Sequence, residues 1–307
     1  MIEGQEDVSW PQWVALAQAC EQHGVGTLFR SDHYLSVEGR RERGSLETWA
    51  TVAGLAAVTT RLRLGVLVSP ATFRHPSVLA KLVTAADHIS NGRIELGIGA
   101  GWNEREHEAY GFAFPPLGER MELLEEQLEI VRGAWADGPF SFSGKHYRLV
   151  DLDAQPKPVQ RPHPPVIIGG GAKPRTARLA ARLADEYNTV YATPAECAER
   201  RAVVEAAWRD AGRDPATMTF SVMVPWVSGS DAADLRRRAG RLAEWRGTDA
   251  DSLLEEFAGL GVTGAFDESL ARMREYRDAG VDRIMLQHLL HDDIDAIGLL
   301  ARLAAAV

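Results

Sequence analysis

The strongest restriction on the fold of this chain is its rhythm. Short apolar segments alternate with longer amphipathic ones almost from end to end. TLFR, RLRLGVLVS, RIELGIGA, PPVIIGGG, EYNTVYAT, TFSVMVPWV and DRIMLQHL read as strands, and MIEGQ reads as the end of one more before them. Each is followed by a helical pattern, such as WPQWVALAQACEQH, PSVLAKLVTAADHI or ERMELLEEQLEIVRGAW. Strands that are apolar along their whole length, rather than on alternate residues, belong to parallel sheets covered by helices. Eight such repeats predict an α/β chain folded as a closed (β/α)8 TIM barrel, with a doubly wound open sheet as the structural alternative. The chain begins inside the first strand, which is therefore shortened.

Local signals agree with this frame. Ser9 is placed to cap the helix from about Trp10 to His23, Pro11 sits in its first turn, and Gly24 or Gly26 ends it. Two insertions interrupt the cycle. Residues 137–164 read as a β-hairpin with a Pro-rich return, and residues 228–266 as extra helix and loop. No repeat or linker divides the chain, so residues 1–307 are expected to form one domain.

Composition excludes several partners. The formal charge of −9 and pI near 5.5 argue against nucleic acid. The run RRRAGR (236–241) lies in a mixed-charge helix and is expected to be a solvated face. No apolar run is long enough to span a membrane, and MIEGQEDVSW has no secretory pattern, so a cytoplasmic location is expected. Cys20 and Cys197 lie in Ala-rich helical segments and read as small buried hydrophobes.

In a (β/α)8 barrel the functional site is built where the strands end. FRSDHY (29–34) leaves a strand through four polar side chains, Arg30, Ser31, Asp32 and His33. Glu3 and Gln5, then SPATFRHP, GAGWNEREHEAYG, GGGAKPR, TVYATP, and finally Gln287 and His288 occupy the other strand ends. Asp32 and His33 are a candidate acid/base pair, since a carboxylate can fix an imidazole tautomer or raise its pKa. Gly169, Gly170 and Gly171 lead into a helix N-terminus beside Lys173 and Arg175, a composition suited to phosphate. The histidines show no metal-ligand spacing, and no metal is expected. Neither a nucleophile elbow nor a P-loop is present.

RSDHY, RLRLGVLVSPATFRHP, GRIELGIGAGWNEREHEAYG, LGERMELLEEQLEIVRGAW, FSGKHY and PVIIGGG occur in an order that resembles the luciferase-like monooxygenase superfamily, and most closely its members that use the deazaflavin coenzyme F-420. The resemblance covers essentially the whole chain. It implies the bacterial luciferase-like barrel with insertions, and an oxidoreductase that transfers a hydride between F-420 and a small organic substrate. It places Asp32 and His33 at the ring, with His33 the proton donor or ring contact and Glu3, Glu47 or His288 as helpers. Leu67–Val68 matches a bulge that is often a non-proline cis peptide. Ala100, Gly101 and Trp102 match backbone contacts to the ring. Gly170 and Gly171 match the phosphate turn, with Ala192 and Thr193 on its other side. Lys173, Arg175 and Arg74 would attract the anionic tail. Two rivals stand beside this reading: an FMN-dependent monooxygenase of the same superfamily, and a non-catalytic flavin-binding protein. Ala100 stands where some relatives have a hydroxyl. The substrate, a small molecule, would be set by loops 34–45, 103–118 and 228–265. A homodimer is a further expectation.

Overall fold

A computed structural model describes all of residues 1–307. The elements run α1 (Trp10–His23), β1 (Thr27–Arg30), α2 (Thr48–Val58), β2 (Arg63–Pro70), α3 (Pro76–Ser90), β3 (Ile94–Gly99), α4 (Glu104–Tyr110), α5 (Leu117–Trp135), β4 (Phe140–Ser143) and β5 (Arg148–Leu152). They continue with β6 (Val166–Gly169), α6 (Pro174–Leu183), β7 (Glu186–Val190), α7 (Pro194–Asp210), β8 (Thr219–Gly229), α8 (Ala232–Arg246), α9 (Ala250–Leu260), β9 (Val262–Ala265), α10 (Phe266–Asp278), β10 (Arg283–Gln287) and α11 (Asp295–Ala306). The local signals place α1 well: Gln12 Oε1 reaches back to accept from the Ser9 N–H and hydroxyl at 2.9 and 2.7 Å, and Gly24 ends the helix at φ 78°.

The strands pair in parallel in the order β1-β2-β3-β6-β7-β8-β10. Met1 and Ile2 close this arc, Ile2 forming a parallel bridge with Arg30. Ile2 donates its N–H to the Phe29 carbonyl and accepts from the Ser31 N–H, at 2.9 and 3.2 Å. Across the gap, the Met1 ammonium donates to the Leu286 carbonyl at 2.9 Å, and the His288 N–H donates to the Met1 carbonyl at 2.9 Å. The barrel is closed, and the open-sheet alternative does not apply. Burial pushes the Met1 ammonium pKa down to about 6.

The main core of 58 residues lies between the strands and their covering helices, with Trp13, Trp49, Trp135 and Trp208 fully buried in it. A second, small cluster fills the barrel interior: Phe29, Leu67, Ile167, Met223 and Met285, one from each of β1, β2, β6, β8 and β10. This apolar plug is the floor on which the strand-end residues stand.

The insertion at 137–164 is the expected hairpin, β4 against β5. The second insertion holds more structure than its sequence suggests. α8 and α9 pack on the extended end of β8 around their own core of Val227, Leu242, Leu253, Phe257 and Leu289, and β9 adds in parallel to β8. The expectation of a solvated basic face at 236–241 is corrected at Arg238. That side chain is buried, 3.2 Å from Asp293 and 3.3 Å from Asp234. No helix is long and apolar enough to cross a membrane.

Candidate active site

The strand ends of β1, β2, β3, β6, β7 and β10 meet above the apolar plug. β1 reaches this point as Arg30, Ser31, Asp32 and His33, and the four side chains part company there. Arg30 turns outward beneath α1, 5.2 Å over the Trp13 ring, and donates to the backbone carbonyls of Ser31 and Leu46 at 3.0 and 3.1 Å. Ser31 donates to Gln5 Oε1 at 2.5 Å. Asp32 turns toward β2 and accepts from Ser69 Oγ at 2.8 Å and from both Arg74 amino groups at 2.5 and 3.2 Å. Ser69 in turn accepts from Trp49 Nε1 at 3.0 Å. Asp32 is thus a buried anchor with its acceptor sites taken.

His33 faces the site mouth and Asp32 turns away from it, as neighbours on a strand do, so the two do not pair and the carboxylate on His33 is a different one. It is Glu106 of α4, 73 residues away, at 2.7 Å from Nδ1, and not the adjacent Asp32. Glu106 also accepts from the Tyr34 N–H at 3.0 Å. The side chains of His33 and Glu106 are 13% and 1% exposed. Burial by itself would lower the imidazole pKa. The hydrogen bond and charge of Glu106, with Glu3 and Asp32 behind it, outweigh that burial and raise it. Trp102, 65% exposed, presents its ring edge-on to His33 at a centroid distance of 5.4 Å. The buried carboxylate was hidden in EREHEAY, where several acidic residues share one helix. Only the packing of α4 against the β1 loop singles out Glu106.

Glu3 is buried across the site and accepts from Gln5 Nε2 at 2.8 Å and from Gln287 Nε2 at 2.7 Å. Tyr191 extends this wall, with its hydroxyl 3.3 Å from Gln287 Oε1 and its backbone at φ 47°. A non-glycine residue in that left-handed region is uncommon, and such residues concentrate at functional sites.

The Leu67–Val68 peptide is cis, as the resemblance implies, and the β2–β3 register shifts between Val66 and Ser69. The glycines of β3 make room for this bulge. A Cβ on Gly99 would lie 2.8 Å from Val68 Cγ2, and one on Gly97 would collide with the Val66 carbonyl oxygen. Ala100 and Gly101 follow at the end of β3. Gly101 has φ 78°, and a Cβ there would crowd the Thr72 hydroxyl.

Gly170 and Gly171 form the turn between β6 and α6, with Lys173 as the α6 N-cap residue and Arg175 in the first turn. The Gly170 N–H is bonded to the Asn188 carbonyl at 2.9 Å and the Ala172 N–H to the Tyr187 hydroxyl at 2.8 Å. Ala192 is buried, and its carbonyl accepts from the Tyr276 hydroxyl at 2.9 Å. The Thr193 hydroxyl and N–H form a capping box with Glu196 that starts α7. These two residues therefore shape the loop through backbone placement.

Three expected helpers stand elsewhere. Arg74 is held between Asp32 and Glu47, whose charges outweigh its burial and keep it cationic, so it is not free to draw a tail. Glu47 caps α2 and pairs with Arg74. His288 is buried beside Trp226, Ser228, Arg238 and Asp293, and burial drives its pKa down to about 3. It is a neutral imidazole at physiological pH.

Residues 2–294 match the luciferase-like monooxygenase family. Among individual proteins, an uncharacterized protein of Mycobacterium tuberculosis is 31% identical over 217 residues, 65% of this chain and 74% of that protein. The F-420-dependent glucose-6-phosphate dehydrogenase of Amycolatopsis mediterranei is 33% identical over 177 residues, 57% and 51% of the two chains. The FMNH2-dependent dimethylsulfone monooxygenase of Pseudomonas putida is 35% identical over 136 residues, 44% and 37%. In fold, the chain superposes on an F-420-dependent secondary alcohol dehydrogenase, seen in complex with an F-420–acetone adduct, with a TM-score of 0.83, 20% identity, and coverage of 100% and 97%.

Proposed function

Because the chain belongs to the luciferase-like monooxygenase family, we propose that it is an oxidoreductase that transfers a hydride between coenzyme F-420 and a small organic substrate. The family contains both F-420- and FMN-dependent enzymes. The observation that carries the deazaflavin reading is the His33–Glu106 pair. Oxidising an alcohol or reducing a carbonyl moves a proton together with the hydride. That proton needs a group whose ionised form is stabilised at the site.

The residues present fit the cofactor. The Leu67–Val68 bulge with the plug beneath it offers an apolar bed for a flat tricyclic ring, walled by Trp102 on one side and by Glu3 and Gln287 on another. Gly170 and Gly171 at the α6 N-terminus, with Lys173 and Arg175, offer a place for a phosphate. When bound, F-420 supplies the hydride donor or acceptor carbon. The protein does the rest. The apolar plug keeps water from below the site, which strengthens the charge interactions above it. Glu106 holds the His33 ring by Nδ1, which leaves Nε2 to give or take the proton. The Asp32–Arg74–Glu47 ion-pair chain fixes the backbone from which His33 projects.

The His33–Glu106 pair at the mouth also argues against a protein that binds a flavin without acting on it, since perturbed, partly buried titratable groups concentrate at functional sites. The test is a fluorescence titration of the purified protein with F-420 and with FMN side by side. Tighter F-420 binding is expected. Tight FMN binding with weak F-420 binding would overturn the reading and make reduced-FMN oxygen consumption the activity to assay.

A further inference from the structure

Outside the His33–Glu106 pair lies a cavity of about 280 Å³ that the chemistry above does not use. Its lining is Leu35, Ser36, Arg40, Arg41, Arg43, Arg105 and Ala109. Four of these seven residues are arginines, and none is acidic. The chain as a whole carries a net charge of −9, so a wall of this composition runs against its average.

Of the neighbouring carboxylates, only Glu6 neutralises an arginine of the wall at close range, and it is buried behind Arg43. Glu6 pairs with Arg43 at 2.9 Å and accepts from Ser36 and from the N–H groups of Val37 and Glu38. Glu38 faces Arg246 at 3.5 Å, and Glu106 is taken by His33. Glu42 reaches Arg40 only at 3.9 Å, between two exposed side chains. Arg41 and Arg105 have no carboxylate partner at all, although Arg105 shares α4 with Glu104 and Glu108.

Two of the four arginines are fixed in place. Arg43 stacks 3.7 Å over the Trp245 ring while donating to the Trp245 carbonyl at 2.9 Å. Arg105 donates to the Ser36 carbonyl. Like charges brought together on an anchored frame repel one another, and an anion placed among them relieves that repulsion. Guanidinium forks match the planar oxygens of carboxylates and phosphates in bidentate geometry.

We propose that this cavity is an oxyanion subsite that takes a multiply charged phosphate or carboxylate group. Both of its walls run directly into the active site: Leu35 lies two residues beyond His33, and Arg105 immediately precedes Glu106. The bound group therefore belongs to a molecule that also reaches the mouth of the barrel. It is either an acidic organic substrate or the oligoglutamate tail of the deazaflavin. That last assignment rests on the proposed function; the oxyanion subsite itself does not.

The experiment is isothermal titration calorimetry of the full chain, without cofactor, using pyrophosphate and separately a triglutamate peptide. Each titration is repeated with the double variant Arg41→Ala/Arg105→Ala. Both side chains are exposed, and thermal melts of the variant report whether its fold is retained. The expected result is saturable binding by the wild type that weakens with added salt and falls at least about tenfold in the double variant. Tighter binding of pyrophosphate would assign the subsite to a phosphate-bearing substrate, and tighter binding of the peptide to the cofactor tail. Absence of binding by the wild type up to about 10 mM, or equal affinity in the two proteins, would overturn the proposal. These outcomes do not depend on which of F-420 and FMN prevails in the cofactor titration.

Discussion

Replacing Glu106 by Gln isolates the group on which the proposed chemistry depends. The amide keeps the size of the side chain and an acceptor for the Tyr34 N–H, and replaces the charged oxygen facing His33 Nδ1 with a neutral NH2 donor. Two unit charges about 4 Å apart at an effective dielectric of 20 attract by about 4 kcal/mol. That is large enough to explain why the His33 imidazole is held protonated more readily than its burial would allow. Without it, burial is left unopposed by its main counterweight, and the imidazole pKa falls. His33 can then shed its charge, so the stability cost stays near that of one weakened buried hydrogen bond, about 1–3 kcal/mol. Hydride-transfer turnover near neutral pH falls by roughly 10². Two assays read this independently. The pH–rate profile of hydride transfer should lose its plateau at a lower pH in the variant. The His33 ring resonances, followed by NMR without any substrate, should titrate at a lower pH. A raised His33 pKa stabilises the fold at low pH, and this contribution is lost as pH rises through the folded-state value. In Glu106→Gln that loss begins earlier. A variant whose His33 titrates where the wild type does would refute the assignment of Glu106 as the holder of the proton site.

Other substitutions probe the frame around this pair. Gly97→Ala forces a methyl against the Val66 carbonyl at the bulge. It should destabilise the protein by about 1–3 kcal/mol, read by denaturant unfolding, and unchanged stability would show that the β2–β3 bulge has slack. Asp32→Asn breaks a buried pair from one side and leaves Arg74 with Glu47 alone. A loss of about 3–5 kcal/mol is expected, and a loss below about 1 kcal/mol would show that solvent reaches the pair. His288 and His291, held neutral with pKa values of about 3 and about 4, bind protons only on unfolding between there and 6.5. Stability should therefore fall as pH drops below 6.5, by up to roughly 1.4 kcal/mol per unit for each histidine. Burial raises the Glu186 pKa to about 7, which favours the fold toward acid and partly offsets that slope. His288→Asn should flatten the acid limb, and an unaltered limb would reject the assignment.

How much of this was legible in the chain differs from level to level, and the reason is range. Helix α1 could be drawn from Ser9, Pro11 and Gly24 because caps act within a turn of where they stand. The parallel barrel was legible because strands buried on both faces must be apolar throughout, which is a property of composition along a few residues. His33 stood out because a strand that ends in polar side chains has no reason to do so in a core. The motif resemblance carried the cis Leu67–Val68 peptide, which periodicity alone does not mark. The partnerships are a different matter, because they were settled by tertiary packing. Asp32 and His33 are neighbours in sequence, but a strand sends neighbours to opposite sides. One therefore went to Arg74 and the other to a carboxylate 73 residues away. The packing of α8 and α9 made Arg238 a buried cation and His288 a buried, neutral imidazole, although both read as surface or rim residues. Residue order alone dictates which side chains can carry charge and which segments can be strands. Charges act through space, and the distances that set their pairing exist only once the chain is closed, here by Met1 and Ile2 between β1 and β10.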